Sequence, residues 1–294
     1  MENLKKKVSV VVTSYNYDEY IRTTLESLVN QTYKDFEVII VDDGSKDNSL
    51  DIINEFVSKY SNFKLYTHEN HQNKGLIESV KLGISKCNSD YIAFLESDDY
   101  WREDYLQQKI DYIEEHPDAV IIINDITPFG NNTYDKYVTK IANYYRKNKT
   151  KKNYFLDFIT ENRIGTFSIV MIKSDVLRSL DFDSPIQTWL DYWLWRQVTL
   201  CHPISFVDEK LTYWNRHDNS YITQTGKDKT KPFEVFYAKS DKLLRKKYPS
   251  FYQKNLLQIY ARLLVKNIFS IQNSFDKSHK IISILGFKIK YKII

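Results

Sequence analysis

Short runs of branched apolar residues alternate with helical stripes along the first half of this 294-residue chain, and that alternation restricts its fold more than any other feature. Val8–Val12, Glu37–Val41, Phe63–Thr67, Tyr91–Leu95 and Val120–Ile123 read as strands apolar on both faces, the pattern of buried parallel strands. Between them lie helical sets: Tyr20, Ile21, Leu25, Leu28 and Val29; Leu50, Ile53, Phe56 and Val57; Leu76, Val80 and Ile84. Strand and helix in turn specify an α/β fold with a doubly wound sheet covered on both sides. Ligands of such sheets gather beyond the carboxyl ends of the strands. Polar clusters stand there: "TSYNYDEY" after the first strand, "DDGSKDNS" after the second and "ESDDYW" after the fourth.

The later chain is less regular. Residues Thr127 to Asn153 are Asn-, Lys- and Tyr-rich with weak periodicity, and read as an irregular excursion. "RIGTFSIVMIKSDVL" reads as a strand followed by a helix start, and "TWLDYWLWRQVTL" as an aromatic helix. Beyond "YWNRHDNS" the composition turns helical and basic, with an apolar set at Leu256, Leu257, Tyr260, Leu263, Leu264 and Ile268. The expected organisation is an α/β domain over 1–220 and a mainly helical, basic extension over 221–294.

Composition excludes several classes. The 23 Tyr and 16 Phe argue for a packed core, and a net charge of only +4 with mixed signs does not point to nucleic acid. Cys87 and Cys201 lack metal-ligand spacing and fit reduced thiols in a cytoplasmic protein. The opening "MENLKKKVSVVV" is a strand without a signal-peptide cleavage site, and no apolar run is long enough to span a membrane. The segment "KIISILGFKIKYKII" interleaves lysines with apolar residues. It suits either peripheral contact with an anionic membrane surface, on the cytoplasmic face, or packing on the domain or on a second copy in a homo-oligomer.

The candidate chemistry lies in the polar clusters. "VVVTSYNYDEY" has no glycine and no Walker pattern, which removes dinucleotide and P-loop sites. Asp42 and Asp43 before Gly44 could simply end a strand in a turn, or could offer a carboxylate to the imide proton of uracil. Glu96, Asp98 and Asp99 crowd like charges that raise one another's pKa. They could open the following helix, or hold a hard divalent cation shared with phosphate oxygens.

Taken together, "SVVVTSYNYDEYIRTTLESLVNQTYKDFEVIIVDDGSKDNS", "NKGLIESVKLGISKCNSDYIAFLESDDYW", "LDYWLWRQ" and "YWNRHDNS", in this order, resemble the inverting family 2 glycosyltransferases of the GT-A fold over roughly residues 7–220. The resemblance implies a UDP-sugar donor held by Thr13, Tyr15, Asp43, Lys74, Glu96 and Asp98, with Asp43 at the uracil. It implies Mn²⁺ or Mg²⁺ at Asp98, Asp99 and His217, and Asp191 as the catalytic base that activates a hydroxyl of a glycan or lipid-linked oligosaccharide acceptor. Glu96 stands where the family more often has Asp, and Leu190 where it usually has Glu. The Gln-x-x-Arg-Trp signature of processive members is absent, which implies one sugar added per encounter. His217 taken alone reads as an ordinary loop histidine, and only its place after a predicted strand, which resembles that of the family's late histidine near the diphosphate, brings the ligand reading level with it. Trp189, Trp193 and Trp195 read as core, with one indole available as a sugar platform beside Asp191. Two other classes compete: a sugar-nucleotide pyrophosphorylase, whose glycine-rich first loop is missing, and a non-catalytic glycan-binding scaffold.

Overall fold

The computed structural model describes residues 6–130, 135–185, 189–217, 232–273, 279–284 and 287–292. Strands β1 (Lys6–Ser14), β2 (Phe36–Asp42), β3 (Phe63–Thr67) and β4 (Ser89–Phe94) pair in parallel in the order β3-β2-β1-β4. Their connections are α1 (Ile21–Val29), α2 (Ser49–Lys59) and α3 (Leu76–Lys86), so the first half is wound as its periodicity requires.

Alternate residues of each strand serve different layers. Val11, Ile39, Ile92 and Phe94 belong to one apolar core, and Val8, Val10, Val12, Val38, Ile40 and Ala93 to the other. β2 is buried at every position, whereas the edge strand β3 is buried only at Phe63. Gly83 lets α3 settle against β1, since a Cβ there would lie 2.7 Å from a Val11 methyl.

The second half departs from a purely parallel sheet. After the two-residue β5 (Tyr100–Trp101) and α4 (Tyr105–Glu115), β6 (Ile121–Gly130) runs in the direction of β4. Short β7 (Met171–Lys173) lies between them, antiparallel to both. β8 (Ile204–Arg216) is parallel to β6 and antiparallel to β5, which completes the order β3-β2-β1-β4-β7-β6-β8-β5. The carboxyl ends of β1, β2, β4 and β8 therefore share one edge. Register shifts at Asn124/Asp125 and Asp125/Ile126 mark an irregular stretch before the last turns of the β6–β8 ribbon.

Two expectations change. The excursion over 127–153 contains helix α5 (Asp135–Lys147), whose buried Val138, Ile141, Ala142 and Tyr145 form a regular stripe. Tyr and Lys around the stripe hid it. "RIGTFSIVMIKSDVL" holds the expected strand, the short β7, and the expected helix start, α7 (Ser174–Arg178), with a 3₁₀ turn at Phe167–Ile169 before them. In the C-terminal part, α9 (Pro232–Lys247) and α10 (Pro249–Ile268) follow α6 (Phe155–Phe158) and α8 (Leu190–Cys201). α10 buries Tyr252 and Ile259, while Leu257 is 85% and Tyr260 52% exposed, so these two members of the expected set are not packed; the side chains of Leu263, Leu264 and Ile268 lie outside those described. The lysine-rich tail adds a three-stranded antiparallel sheet of β9 (Phe269–Asn273), β10 (His279–Ile284) and β11 (Phe287–Lys292). Among the described residues no helix is long and apolar enough to cross a membrane.

Lys109 of α4 is fully buried and donates to the carbonyls of Ile122 and Ile169, both at 3.0 Å. Burial holds its amine well below the usual lysine range, and its two hydrogen bonds clamp the helix to the sheet.

Gly44, just past β2, has φ +82°, and a Cβ there would meet the Asn73 nitrogen and His71 carbonyl at 2.8 Å. Gly44→Ala should therefore lower the unfolding free energy by about 1–3 kcal/mol in chemical denaturation. A stability equal to that of the native protein would mean that the 71–75 loop does not pack against this turn.

Candidate active site

The edge is assembled from four turns. At the end of β2 the two aspartates separate. Asp42 is fully buried, and accepts from Gly44 N (3.2 Å), Ser45 N (3.0 Å), Ser45 Oγ (2.5 Å) and His71 Nε2 (2.7 Å). It is the acid that makes the turn. Asp43, 4% exposed, accepts from the backbone nitrogens of Lys74 (2.8 Å) and Gly75 (2.9 Å), with His68 Nε2 at 3.4 Å. Asp42 thus makes the turn, while Asp43 is braced by the loop that carries Lys74. The Lys74 side chain is exposed.

Thr13 is half-buried near the end of β1, and Tyr15 just beyond it is 42% exposed. Asn16 takes the left-handed conformation that Asn tolerates, at φ 54°, and ties this turn to the next. Its backbone nitrogen donates to Ser45 Oγ at 3.0 Å, and its side chain accepts from Lys46 N at 2.7 Å. The turns that carry Thr13, Tyr15 and Asp43 form one unit.

The acidic turn after β4 places its three carboxylates differently. Asp99 is 1% exposed and both its oxygens are engaged by the chain itself: Oδ1 by Asn215 N (2.8 Å), Oδ2 by Ser168 Oγ (2.5 Å) and Thr166 Oγ1 (3.3 Å). Asp99, expected as a metal ligand, is thus held from within the chain. Its oxygens brace the turn, because burial makes their hydrogen bonds obligatory. Thr24 Oγ1 braces the same turn through the carbonyls of Ser97 (2.9 Å) and Asp99 (2.7 Å).

Asp98 keeps an open side, and its Oδ2 lies 3.0 Å from His217 Nε2. Tyr20 packs on this imidazole with ring centroids 4.6 Å apart, and Tyr17 meets it edge-on at 6.0 Å. His217 Nδ1 is buried with no hydrogen-bond partner among the described residues. The histidine left undecided by the sequence is thus brought beside the acidic turn. Among the described residues no group of three or more His, Cys, Asp or Glu side chains is arranged to hold a metal alone. A hard cation that shares phosphate oxygens needs only one or two protein donors. Asp98 with His217 has the right chemistry for that.

Glu96 receives a hydrogen bond from Thr166 Oγ1, and its backbone nitrogen donates to Ser168 Oγ at 3.0 Å. Burial, then the charge of Asp98, push its carboxyl up to about 8; Asp191 adds to the rise and Arg216 opposes it. Burial and the same crowding hold Asp99 well above the usual carboxylate range. Glu96 therefore stands within electrostatic reach of both the acidic turn and Asp191.

Asp191 lies in the first turn of α8, where Asn162 Nδ2 donates to its Oδ2 at 2.8 Å. Burial pushes it up to about 6, against the stabilising bonds from Tyr192 N and Asn162. A carboxylate of that pKa is ionised at neutral pH yet basic enough to accept a proton. Of the three tryptophans, Trp193 and Trp195 are fully buried, and Trp189 alone is half-buried beside Asp191.

Asn162, Thr166, Ser168, Asn215 and Thr24 were not anticipated. Each is a common polar residue in an unremarkable stretch, and nothing in its local sequence marks it.

The comparisons agree with this architecture. The family model described as Glycosyl transferase family 2 matches residues 9–177. The glycosyltransferase GlyA of Streptococcus pneumoniae is 27% identical over 226 residues, covering 75% of this chain and 31% of GlyA. An Escherichia coli protein, UDP-Glc:alpha-D-GlcNAc-diphosphoundecaprenol beta-1,3-glucosyltransferase WfaP, is 36% identical over 107 residues, 36% of this chain and 41% of WfaP. The match spans less than two thirds of either relative. S. aureus TarS 1–349, solved with UDP-GlcNAc, superposes with a TM-score of 0.61 at 19% identity, covering 87% of this chain and 79% of TarS. A mannosyltransferase of Pyrobaculum calidifontis, solved with GDP-Man and Mn²⁺, gives a TM-score of 0.56 at 13% identity over 90% of this chain and 76% of its own. With the matched family model covering more than half the chain and the sheet order in hand, the protein belongs to glycosyltransferase family 2 and has the GT-A fold.

Proposed function

We propose that this protein transfers one sugar from a UDP-sugar to a hydroxyl of a glycan or lipid-linked glycan acceptor, with inversion at the anomeric carbon. The observation that carries the proposal is the position of Asp191: a buried carboxylate at a helix start, held by Asn162, and electrostatically linked through Glu96 to the acidic turn. A base and a charged anchoring site share one edge of the sheet, as a displacement reaction requires. TarS, with its UDP-GlcNAc complex, and WfaP, named for a UDP-Glc donor, support the choice of UDP.

In this reading Thr13, Tyr15, Asp43 and Lys74 hold the nucleoside, and Glu96 and Asp98 stand toward the ribose and diphosphate. Asp98 and His217 would hold Mg²⁺ or Mn²⁺, which supplies positive charge to the leaving diphosphate. Asp99 keeps the turn in place behind them. Asp191 accepts the acceptor's proton while the hydroxyl oxygen attacks from the face opposite the diphosphate, and Asn162 fixes the carboxylate for that transfer. The half-buried Trp189 offers a flat face to the apolar side of a pyranose. The proposed setting is bacterial surface-glycan assembly at the cytoplasmic side of the membrane.

Asp191→Asn should retain fold and UDP affinity but lose at least about a hundredfold in transfer, since an amide cannot accept the proton. A panel of UDP-sugars assayed for UDP release checks this, and near-native turnover of the variant would place the base elsewhere. The pH profile follows from the same residue. The base works only when ionised, so turnover should rise with pH through about 6 and level off above it. A profile flat between pH 5 and 8 would contradict the assignment.

Asp98→Asn should abolish the stimulation of turnover by Mn²⁺ and weaken metal-dependent UDP binding, measured by calorimetry with and without EDTA. Unchanged metal stimulation would remove Asp98 from the cation site.

A further inference from the structure

A composition shift near residue 220 suggests an appendage, but α9 lies along the helix that carries Asp191. At its head Phe236, fully buried, stacks on Tyr192 with centroids 5.2 Å apart and planes 24° apart. It also packs on Trp189 at 5.2 Å. These two aromatic residues flank Leu190 and Asp191. Phe236, Ser240 and Leu244 recur at every fourth position and are all 0% exposed, so they form the docked stripe of α9.

Further along, Arg196 of α8 is also 0% exposed. Its guanidinium donates to Ser240 Oγ and lies 3.9 Å from the Asp241 carboxylate. Arg245 Nε (2.7 Å) and Tyr252 OH (3.0 Å) both donate to Asp241. A buried guanidinium without such partners would carry a heavy desolvation cost. α9 therefore supplies both an apolar seat and an anionic partner for α8. On the opposite side the Tyr192 hydroxyl donates to the Phe158 carbonyl, close in sequence to Asn162, whose amide holds Asp191. The first turn of α8 is gripped from both sides.

We infer that α9 is part of the catalytic centre, and that Phe236 is a positioning residue that sets the first turn of α8 and with it the direction of the Asp191 carboxylate and the Trp189 ring. The inference rests on Asp191 as the base. The donor-side turns draw their bracing from Ser45, Thr24, Ser168 and Asn215, none of which belongs to α9. Loss of Phe236 should thus disturb proton acceptance and spare the nucleotide.

The test uses the full chain, with UDP as the binding probe and the UDP-sugar panel as the turnover probe. Phe236→Ala should bind UDP within about twofold of the native protein while UDP release falls about tenfold to a hundredfold, the scale of loss from a displaced catalytic group. The acidic limb of its pH profile should move, because the hydrogen bond that holds Asp191 is set differently; Glu96 and Tyr137 are the titratable groups that face this carboxylate and belong in the fit. Phe236→Leu, which refills the seat, should recover turnover to within about fivefold. If Phe236→Ala does not fold, Ser240→Ala, which removes one partner of Arg196, should show the same split in milder form. Native turnover, an unmoved pH limb, or a loss of UDP affinity equal to the loss of turnover would overturn the inference. Full turnover in Asp191→Asn would remove the base reading instead, whereas an inactive Asp191→Asn beside a fully active Phe236→Ala removes this inference alone.

Discussion

Asp99 accepts hydrogen bonds from Ser168, Thr166 and Asn215, and through them the turn after β4, the loop before β7 and the end of β8 meet at one buried carboxylate. The rest of the site depends on that joint. A carboxylate taken out of water must be matched by donors, so three segments remote in sequence are obliged to close around it. Closure fixes the next residue outward, Asp98, and carries His217 to within 3.0 Å of it. Trp101 Nε1 and Thr212 Oγ1, both bonded to the Ser168 carbonyl, lock the same loop from below at 2.7 and 3.2 Å.

The electrostatic cost of this arrangement explains its use. Glu96 and Asp99 are driven toward their protonated forms by burial and by their neighbours' charges. Nothing in packing alone favours three acids in four residues. In the proposed reading a cation and a bound diphosphate relieve the repulsion, while the internal donors hold the carboxylates in place beforehand, so that little reorganisation accompanies binding. Asp191 lies beyond this cluster, buried and supported by one amide, and in the proposed reading it separates the proton-accepting task from the charge-holding one.

Much of this was legible. The continuous apolar runs and the helical stripes between them defined the first four strands and their helices, because each must bury its own side chains whatever the partner. The polar clusters were found for the same reason: polar residues interrupt burial at strand ends. Helix α5 escaped, since its apolar stripe at Val138, Ile141, Ala142 and Tyr145 is diluted by Tyr and Lys that pack or hydrogen-bond instead. The roles within each acid pair also escaped. Asp42 and Asp43, like Asp98 and Asp99, are identical in chemistry and adjacent in chain, and only the donors that reach each one tell them apart.

The sequence by itself determined the layer order, the edge of the sheet where chemistry gathers and the residue types available there, because local periodicity and strand ends set those without reference to the rest of the chain. The tertiary structure alone decided which carboxylate is buried and which stays open, that Asn162 faces Asp191, and that Phe236 and Asp241 from beyond residue 220 seat the helix that carries it. Those facts depend on contacts between residues 29 to 116 positions apart, such as Asn162 with Asp191 and Asp99 with Asn215. No local pattern encodes such pairs, since a hydrogen-bond donor is specified by where it arrives and not by the residues beside it.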